Sequence, residues 1–243
     1  MIEVHELAIG YDGHAVQSKL TFEIPQGELV AILGGSGCGK TTLLRTLVGL
    51  LPVISGSMRV AGSNNPANDM GQPPFGVMFQ MGALFSSMTL EQNVSLPLEA
   101  WTDLDKDTIL EIARAKLALV GLDGQGGLSP AEISGGMNKR AAIARAMALD
   151  PPLLFLDEPS AGLDPSTSAG LDELIISLRE GLGTTIVLVT HELDSILHLN
   201  ARCLMLDAEA GTLIADGFPG ELQGDSTHPA VNAFFRREMR AKT

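Results

Sequence analysis

The segment GGSGCGKT (34–41) constrains the fold of this chain more than any other feature of its sequence. It fits the pattern G-x-x-x-x-G-K-[ST], follows the apolar run Leu29–Leu33, and precedes a helix predicted from about Lys40 to Leu50. Glycines at this density let successive backbone N–H groups curl around an oxyanion, and the start of a helix adds partial positive charge. An ordinary glycine-rich turn is the alternative, but the strand–loop–helix setting favours a phosphate-binding loop.

Within this loop, Lys40 is predicted to reach the β- and γ-phosphates of a nucleotide, and Thr41 to ligate Mg²⁺ through its hydroxyl. The other predicted nucleotide contacts are Gly34, Gly35, Ser36, Gly37, Cys38, Gly39 and Thr42. Because Cys38 lies beside a helix start and near Lys40, we expect a lowered thiol pKa, inactivation by a small alkylating agent, and protection by Mg-ATP. A shielded, unreactive thiol is the alternative.

The later part of the chain reads as a strand–helix–strand unit. Apolar runs at Leu153–Leu156 and Thr185–Val189, with a helix at Ser166–Glu180 between them, predict a parallel sheet that is buried on both faces. The first run ends in the acidic pair Asp157 and Glu158. A surface turn would explain the pair, but downstream of a phosphate loop it indicates Mg²⁺ binding by Asp157 and polarisation of the attacking water by Glu158.

Helical spacing dominates from about Gly82 to Asp150. There ISGGM (133–137) precedes a helix predicted at Gly136–Leu149, with Ser134 as its N-cap and Gly135 and Gly136 leaving backbone N–H groups uncovered. Further predicted elements are strands at Ile2–Ile9, Lys19–Ile24, 56–61 and Gly76–Gln80, a loop at 63–74, and a hairpin of Cys203–Asp207 with Gly211–Ala215.

Charge and hydropathy exclude several classes of protein. Sixteen basic and 29 acidic residues give a net charge of −13, which disfavours binding to a nucleic-acid backbone. The start MIEVHELAIG lacks the pattern of a secretory signal, and no run is long and apolar enough to predict a membrane span. Two cysteines in 243 residues fit a reducing cytoplasm rather than a disulfide framework.

The three motifs, in this order, resemble the ATP-binding-cassette (ABC) family, from Tyr11 to about Leu222. The resemblance implies an ATPase that uses ATP and Mg²⁺. It also implies an α/β fold of the phosphate-loop NTPase class: a RecA-like core with a mainly parallel sheet (about 1–82 and 151–222), an inserted helical subdomain (83–150) and a C-terminal extension (223–243).

Further residues match this family's pattern. Gln80, in VMFQ, resembles the glutamine that touches Mg²⁺ and the water and senses the transmembrane partner. His191 matches the γ-phosphate histidine, Tyr11 the aromatic that stacks on adenine, and SAGLD (160–164) the segment that crosses the dimer interface. Two cassettes of this family pair head to tail, which implies that Ser134 and Gly136, next to Gly135, contact the γ-phosphate held by a second copy of the chain.

One departure points to a branch of the family. Met137 stands where the usual signature has Gln, and this form, with the segments 79–98 and 189–196, is similar to cassettes of bacterial phospholipid transporters of the Mla type. That similarity implies transmembrane permease subunits, an MCE-domain (mammalian-cell-entry) protein reached through the permease, and a peripheral location on the cytoplasmic face of the inner membrane. We also expect the tail, with its apolar AVNAFF (230–235), to reach the partner cassette.

Two alternatives stay open. One is a cassette of another importer or exporter, for amino acids, metals or lipoproteins, because a cassette does not touch the cargo. The other is a non-transport cassette ATPase acting on DNA or the ribosome, which the acidic net charge of −13 and the single cassette disfavour.

Overall fold

The computed structural model describes residues 1–64, 71–80, 82–225 and 228–241, without the side chains of 224–225 and 236–241. These residues form two compact units, Met1–Asp69 with Thr185–Thr243, and Met70–Thr184. Half of the predicted loop at 63–74, residues 65–70, lies outside the described residues. In the described part of the chain, no helix is both long and apolar enough to cross a bilayer.

The first unit is built around a buried parallel strand. Strand β3 (Leu29–Gly34) runs parallel to β7 (Thr185–Val189) on one side and to β8 (Arg202–Asp207) on the other. Every residue of β3 and β7 is buried, as expected for parallel strands that are covered on both faces. Strand β9 (Thr212–Gly217) pairs antiparallel with β8, which confirms the predicted hairpin.

A second sheet in this unit is antiparallel, and its strands, though not their pairing, were predicted at Ile2–Ile9, Lys19–Ile24 and 56–61. Strand β1 (Ile2–Tyr11) lies between β2 (His14–Ile24) and β4 (Ser55–Val60), and the β1–β2 register shifts at several points. Such shifts interrupt the period-two alternation by which a sheet face is read from sequence. The helices of this unit are α1 (Lys40–Leu47), α6 (Leu193–Leu199), α7 (Pro219–Asp225) and α8 (Pro229–Ala241).

The second unit combines a short parallel pair with helices. Strand β5 (Gly76–Met78) runs parallel to β6 (Leu153–Asp157). The helices are α2 (Leu90–Trp101), α3 (Lys106–Leu119), α4 (Gly135–Ala146) and α5 (Pro165–Leu182), with a 3₁₀ turn at Pro130–Glu132. Local side chains fix the starts of three of them, because Thr89 forms a capping box and Asp105 and Asp164 accept from backbone N–H groups of the first turn.

The division into a core (1–82, 151–222) and a helical subdomain (83–150) stays a prediction. Strands β5 and β6 belong to the same compact unit as the helices α2 to α5. In the C-terminal extension, Val231 and Phe235 on α8 are buried within the chain itself. The apolar segment 230–235 thus has a surface to cover within the chain, and contact of the tail with a partner cassette stays a prediction.

Candidate functional site

The predicted phosphate loop leaves the sheet of the first unit at its carboxyl edge. Residue Ile32 of β3 pairs with Val189 of β7, and Gly34 pairs with Leu206 of β8. The loop therefore emerges between two parallel neighbours, which is where open α/β sheets place their ligands. Its tip, 35–37, is exposed, and α1 begins directly after it at Lys40.

The lysine of this loop folds back over the loop's own backbone. Its Nζ donates hydrogen bonds to the carbonyl oxygens of Gly34 at 2.9 Å and Gly35 at 3.0 Å. The ammonium group is thereby held at the exposed tip, at the positive end of α1. This arrangement of cation and helix start suits an oxyanion such as a phosphate.

Glycine at position 34 is required by close contacts. A Cβ there would lie 2.4 Å from Cys38 Sγ and 2.4 Å from the carbonyl oxygen of Leu206, and φ is +145°. The same packing buries Cys38 completely, and burial raises the pKa of its thiol although nearby Lys40 lowers it. The predicted lowered pKa of Cys38 is therefore wrong, and the structure fits the shielded thiol instead.

A buried glutamine supports the loop from beneath. Gln17 Nε2, on β2, donates to the carbonyl oxygens of Cys38 at 2.7 Å and Asp207 at 2.8 Å, and so ties the loop to the end of β8. A Cβ on Gly39 would approach Gln17 Cγ to 3.1 Å. Sequence reasoning missed Gln17. Its only signal is that it is polar, and the alternation of buried and exposed residues along β2 is interrupted, so its burial could not be inferred.

Two other predicted residues, Tyr11 and His191, belong to the same unit as this loop. The Tyr11 hydroxyl is 3.2 Å from Thr42 Oγ1, while the residue as a whole is 44% exposed. His191 is exposed and follows β7 by two residues, and β7 pairs with β3 up to Val189. The structure thus brings Tyr11 to the start of α1 and places His191 at the edge of the sheet from which the loop departs.

The acidic pair ends a buried strand in the second unit. Asp157 is the last residue of β6, and both it and Glu158 are buried. Since Met78 of β5 pairs with Leu156 of β6 in parallel, Gln80 leaves the same carboxyl edge. Glu158 has φ +50°, an uncommon backbone conformation for a non-glycine residue and one that is enriched at functional sites.

The predicted signature segment starts helix α4. The Ser134 hydroxyl accepts from the backbone N–H of Met137 at 3.3 Å, so the N-cap expected from sequence is present. A Cβ on Gly136 would lie 2.3 Å from Thr167 Cγ2, whereas one on Gly135 would meet only Leu163, at 3.6 Å. The two glycines therefore differ, because intrachain packing excludes a side chain at Gly136 alone.

Lysine 139, also missed by sequence reasoning, joins three predicted segments of the second unit. Lys139 Nζ, on α4, donates to the carbonyl oxygens of Gln80 and of Glu158, the latter at 3.0 Å. No motif signals this role, because the partners are backbone atoms of segments far apart in the chain. The predicted site residues thus form two groups, the phosphate loop with Tyr11 and His191 in the first unit, and Gln80, Asp157, Glu158 and Ser134–Gly136 in the second.

Among the residues that the structure describes, no group of three or more His, Cys, Asp or Glu side chains could hold a metal ion by itself. The predicted metal ligands are one threonine hydroxyl, one carboxylate and one amide oxygen: Thr41, Asp157 and Gln80. Mg²⁺ at nucleotide sites is held by one or two such oxygens together with phosphates and water, so this donor set fits the ion.

Comparisons with known proteins agree on one family. The family model described as "ABC transporter" matches residues 17–161. The intermembrane phospholipid transport ATP-binding protein MlaF of Escherichia coli K12 is 34% identical over 239 residues, covering 96% of this chain and 88% of that protein. MlaF of Haemophilus influenzae is 37% identical over 205 residues, covering 82% of this chain and 77% of its own length.

The probable ribonucleotide transport ATP-binding protein mkl of Mycobacterium tuberculosis is 41% identical over 198 residues. That alignment covers 79% of this chain but 55% of mkl, so the chain spans little more than half the length of that relative. Among solved structures, the dimeric post-hydrolysis state of the ATP-binding cassette MJ0796, bound to ADP and phosphate, superposes with a TM-score of 0.78 at 26% identity. It covers 90% of this chain and 98% of MJ0796.

Proposed function

This chain belongs to the ABC transporter family and is an ATPase of that family, and we propose that it powers phospholipid transport as the nucleotide-binding subunit of a membrane complex. The observation that carries the proposal is its similarity to MlaF along almost its whole length. The complex would lie in the bacterial inner membrane with this subunit on the cytoplasmic face.

In the proposed site, the first unit binds the nucleotide. The amide-rich loop 34–41 surrounds the phosphates, and Lys40 leaves its carbonyl partners for the β- and γ-phosphates, which are stronger acceptors. Thr41 supplies a hydroxyl to Mg²⁺, and the exposed ring of Tyr11 stacks on adenine. His191 contacts the γ-phosphate from the carboxyl edge of β7.

The second unit supplies the hydrolytic groups. Asp157 and Gln80 would hold Mg²⁺ together with Thr41, Gln80 would also orient the attacking water, and Glu158 would polarise that water. Mg²⁺, when bound, neutralises charge on the phosphate oxygens. The burial of Glu158 and its constrained backbone support this role, because phosphoryl transfer depends on groups held in position more than on covalent chemistry.

The start of α4 is proposed to complete the site of a second copy. Ser134 and the backbone N–H groups of Gly135 and Gly136 contact the γ-phosphate bound by the partner in a head-to-tail dimer. The dimeric state of MJ0796 supports this arrangement. ATP would then hold two helix starts together through its negative charge, and hydrolysis would release them.

A permease is proposed to dock on the second unit. A groove of about 210 Å³ there is lined by Phe75, Val77, Pro97, Trp101 and Arg145, among others. Trp101 is 46% exposed, and aromatic residues of this kind are enriched at protein interfaces. An MCE-domain protein would be reached through that permease, as proposed from the similarity to Mla-type cassettes.

The ATPase proposal is tested with Glu158→Gln. We expect hydrolysis close to background and an ATP-bound dimer that persists, because the amide can no longer polarise the water. Phosphate release and light scattering after size exclusion measure the two outcomes, and Glu180→Gln, an exposed change on α5, is the matched control. Near-normal turnover in Glu158→Gln would remove Glu158 from the mechanism.

The cargo is tested separately. The complex that co-purifies with the tagged chain from membranes is reconstituted into liposomes, and ATP-dependent transfer of a fluorescent phospholipid is measured beside uptake of a radiolabelled ribonucleotide. The second cargo is included because of the similarity to mkl. Phospholipid transfer supports the proposal. Ribonucleotide uptake without lipid transfer assigns the chain to ribonucleotide transport instead. If neither cargo is moved, the phospholipid assignment is refuted for that complex.

A further inference from the structure

Side chains of helix α4 donate hydrogen bonds to the backbone of the segment that follows β5. Lys139 donates to the carbonyl oxygen of Gln80, and Arg145 donates from Nη1 to Ala83 at 2.7 Å and from Nη2 to Gly82 at 2.9 Å. At the far side of the segment, the buried amide of Asn93 bonds both the N–H and the carbonyl oxygen of Phe85. The described backbone between Gln80 and Phe85 is therefore anchored at four residues.

The same lysine also holds the acidic pair. Its second partner, the carbonyl oxygen of Glu158, belongs to the residue that follows β6. Both of these hydrogen bonds are accepted by backbone carbonyl oxygens, so Lys139 ties the backbone of Gln80 to that of Glu158. Because Lys139 stands five positions after Ser134, a rigid helix connects the start of α4 to both carbonyl oxygens.

We propose that Lys139 is a positioning residue that couples the start of α4 to Gln80 and Glu158. The inference rests on the proposed roles of those two residues. When a nucleotide of the second copy engages Ser134 and Gly136, any displacement of α4 is carried by Lys139 to the backbone of the water-orienting and water-polarising groups. Loss of the ammonium group lets Gln80 and Glu158 relax away from the reactive geometry, and misplacement of this kind can lower a rate by up to about 100-fold.

The neighbouring residue provides a matched control. Arg140 lies next to Lys139 on the same helix and also donates to two backbone carbonyl oxygens, those of Val120 at 3.0 Å and Gly170 at 2.6 Å. Neither partner belongs to a proposed site segment. If cations on α4 serve only to stabilise the unit, Lys139→Met and Arg140→Met affect unfolding and turnover in the same proportion.

The test measures kcat, the KM for ATP and the melting temperature in the purified membrane complex. For Lys139→Met we expect a fall in kcat of about 10-fold to 100-fold with the KM for ATP changed less than about twofold, because the phosphate loop is intact. Lys139→Arg, which keeps a long cation, is expected to recover most of kcat. Arg140→Met is expected to lower the melting temperature with a smaller loss of kcat.

Equal kcat losses in Lys139→Met and Arg140→Met, or a rise in KM that accounts for the whole effect, overturn the inference. If Lys139→Met does not fold, Lys139→Gln is measured against the same criteria. Glu158→Gln distinguishes failure of the proposed function from failure of the coupling role. Normal turnover in the Glu158→Gln variant overturns the proposed function itself. Absent turnover there, with an unaffected Lys139 variant, overturns only the coupling role.

Discussion

The phosphate loop of the first unit (34–41) and the acidic edge of the second unit (Gln80, Asp157 and Glu158, at the ends of β5 and β6) are built in different ways. The loop is one contiguous stretch, and its shape depends on backbone groups, the steric requirement at Gly34 and support from Gln17. The acidic edge is assembled from segments that are far apart in sequence, and Lys139 joins them through carbonyl oxygens.

This difference predicts which substitutions each region tolerates. A glycine beside a backbone atom cannot accept a Cβ, because neither partner can move without moving a strand. A cation that bonds carbonyl oxygens can adjust its long side chain, so the acidic edge should yield gradually to substitution. The predictions below compare a glycine beside backbone with a glycine beside a side chain and with hydrogen-bonded supports, from the largest expected effect to the smallest.

Gly34→Ala should be the most damaging change. Its Cβ meets a backbone oxygen at 2.4 Å, and φ of +145° is strained for alanine, so we expect a loss of about 3 kcal/mol or more in unfolding free energy. Gly35→Ala has no atom within 4 Å of its Cβ and serves as the control. Denaturant unfolding without nucleotide measures both, and equal stability of the two variants contradicts the steric account.

Gly136→Ala should cost less, about 1–3 kcal/mol, because its Cβ meets a side-chain methyl group of Thr167 rather than backbone. Gly135→Ala is the control, with its nearest contact at an ordinary 3.6 Å. The double variant Gly136→Ala/Thr167→Ser removes the methyl group and should recover most of the loss. No recovery in urea unfolding would show that the contact with Thr167 is not the cause.

Gln17→Leu should lower the unfolding free energy by about 1–3 kcal/mol, because the carbonyl oxygens of Cys38 and Asp207 lose a buried donor. Gln72, an exposed glutamine that donates to Leu149 at 3.3 Å, is the matched control, and its leucine variant should change stability by less than about 0.5 kcal/mol. Indistinguishable effects would mean that the loop does not depend on support from β2.

Asp164→Ala should have the smallest effect, and the effect should depend on pH. Hydrogen bonds from the Thr167 hydroxyl and from backbone N–H groups hold the pKa of Asp164 below its ordinary value. The cap therefore stabilises the fold above the unfolded-state pKa of about 3.9, and that stabilisation is lost as the pH falls through the lower folded-state pKa.

The difference in melting temperature between wild type and Asp164→Ala should therefore be full at pH 7 and shrink below about pH 4. Asp103→Ala, an exposed aspartate between α2 and α3, is the control. A difference that stays constant down to pH 3 would show that the carboxylate of Asp164 is not what stabilises α5.

Much of the fold and site could be predicted from the chain's local patterns. These patterns include the glycine-rich loop, the apolar runs of β3, β6 and β7, and the N-cap of α4. Each depends on neighbours in sequence, and Ser134 caps α4 as predicted. The strands β1, β2 and β4 were predicted with other bounds, but their pairing into an antiparallel sheet was not, and the helices α6 and α7 were missed. The register shifts between β1 and β2 interrupt the alternation, and α6 and α7, with seven residues each, carry too few turns to show a period.

The predicted pKa of Cys38 was wrong for a related reason. Sequence shows that Lys40 and a helix start are near the thiol, and both lower a thiol pKa. It does not show that the atom is completely enclosed, and burial outweighs those two effects.

By itself, the sequence determined which groups the candidate site contains: a glycine-rich loop after a strand, a carboxylate pair at a strand end and a helix that begins with two glycines, each encoded in adjacent residues. Only the tertiary structure decided what supports them, namely Gln17 beneath the loop, the enclosure of Cys38, and Lys139 between Gln80 and Glu158. The physical reason is that motifs specify donors and acceptors through local backbone geometry, whereas burial and backbone-directed contacts depend on which distant segments pack together.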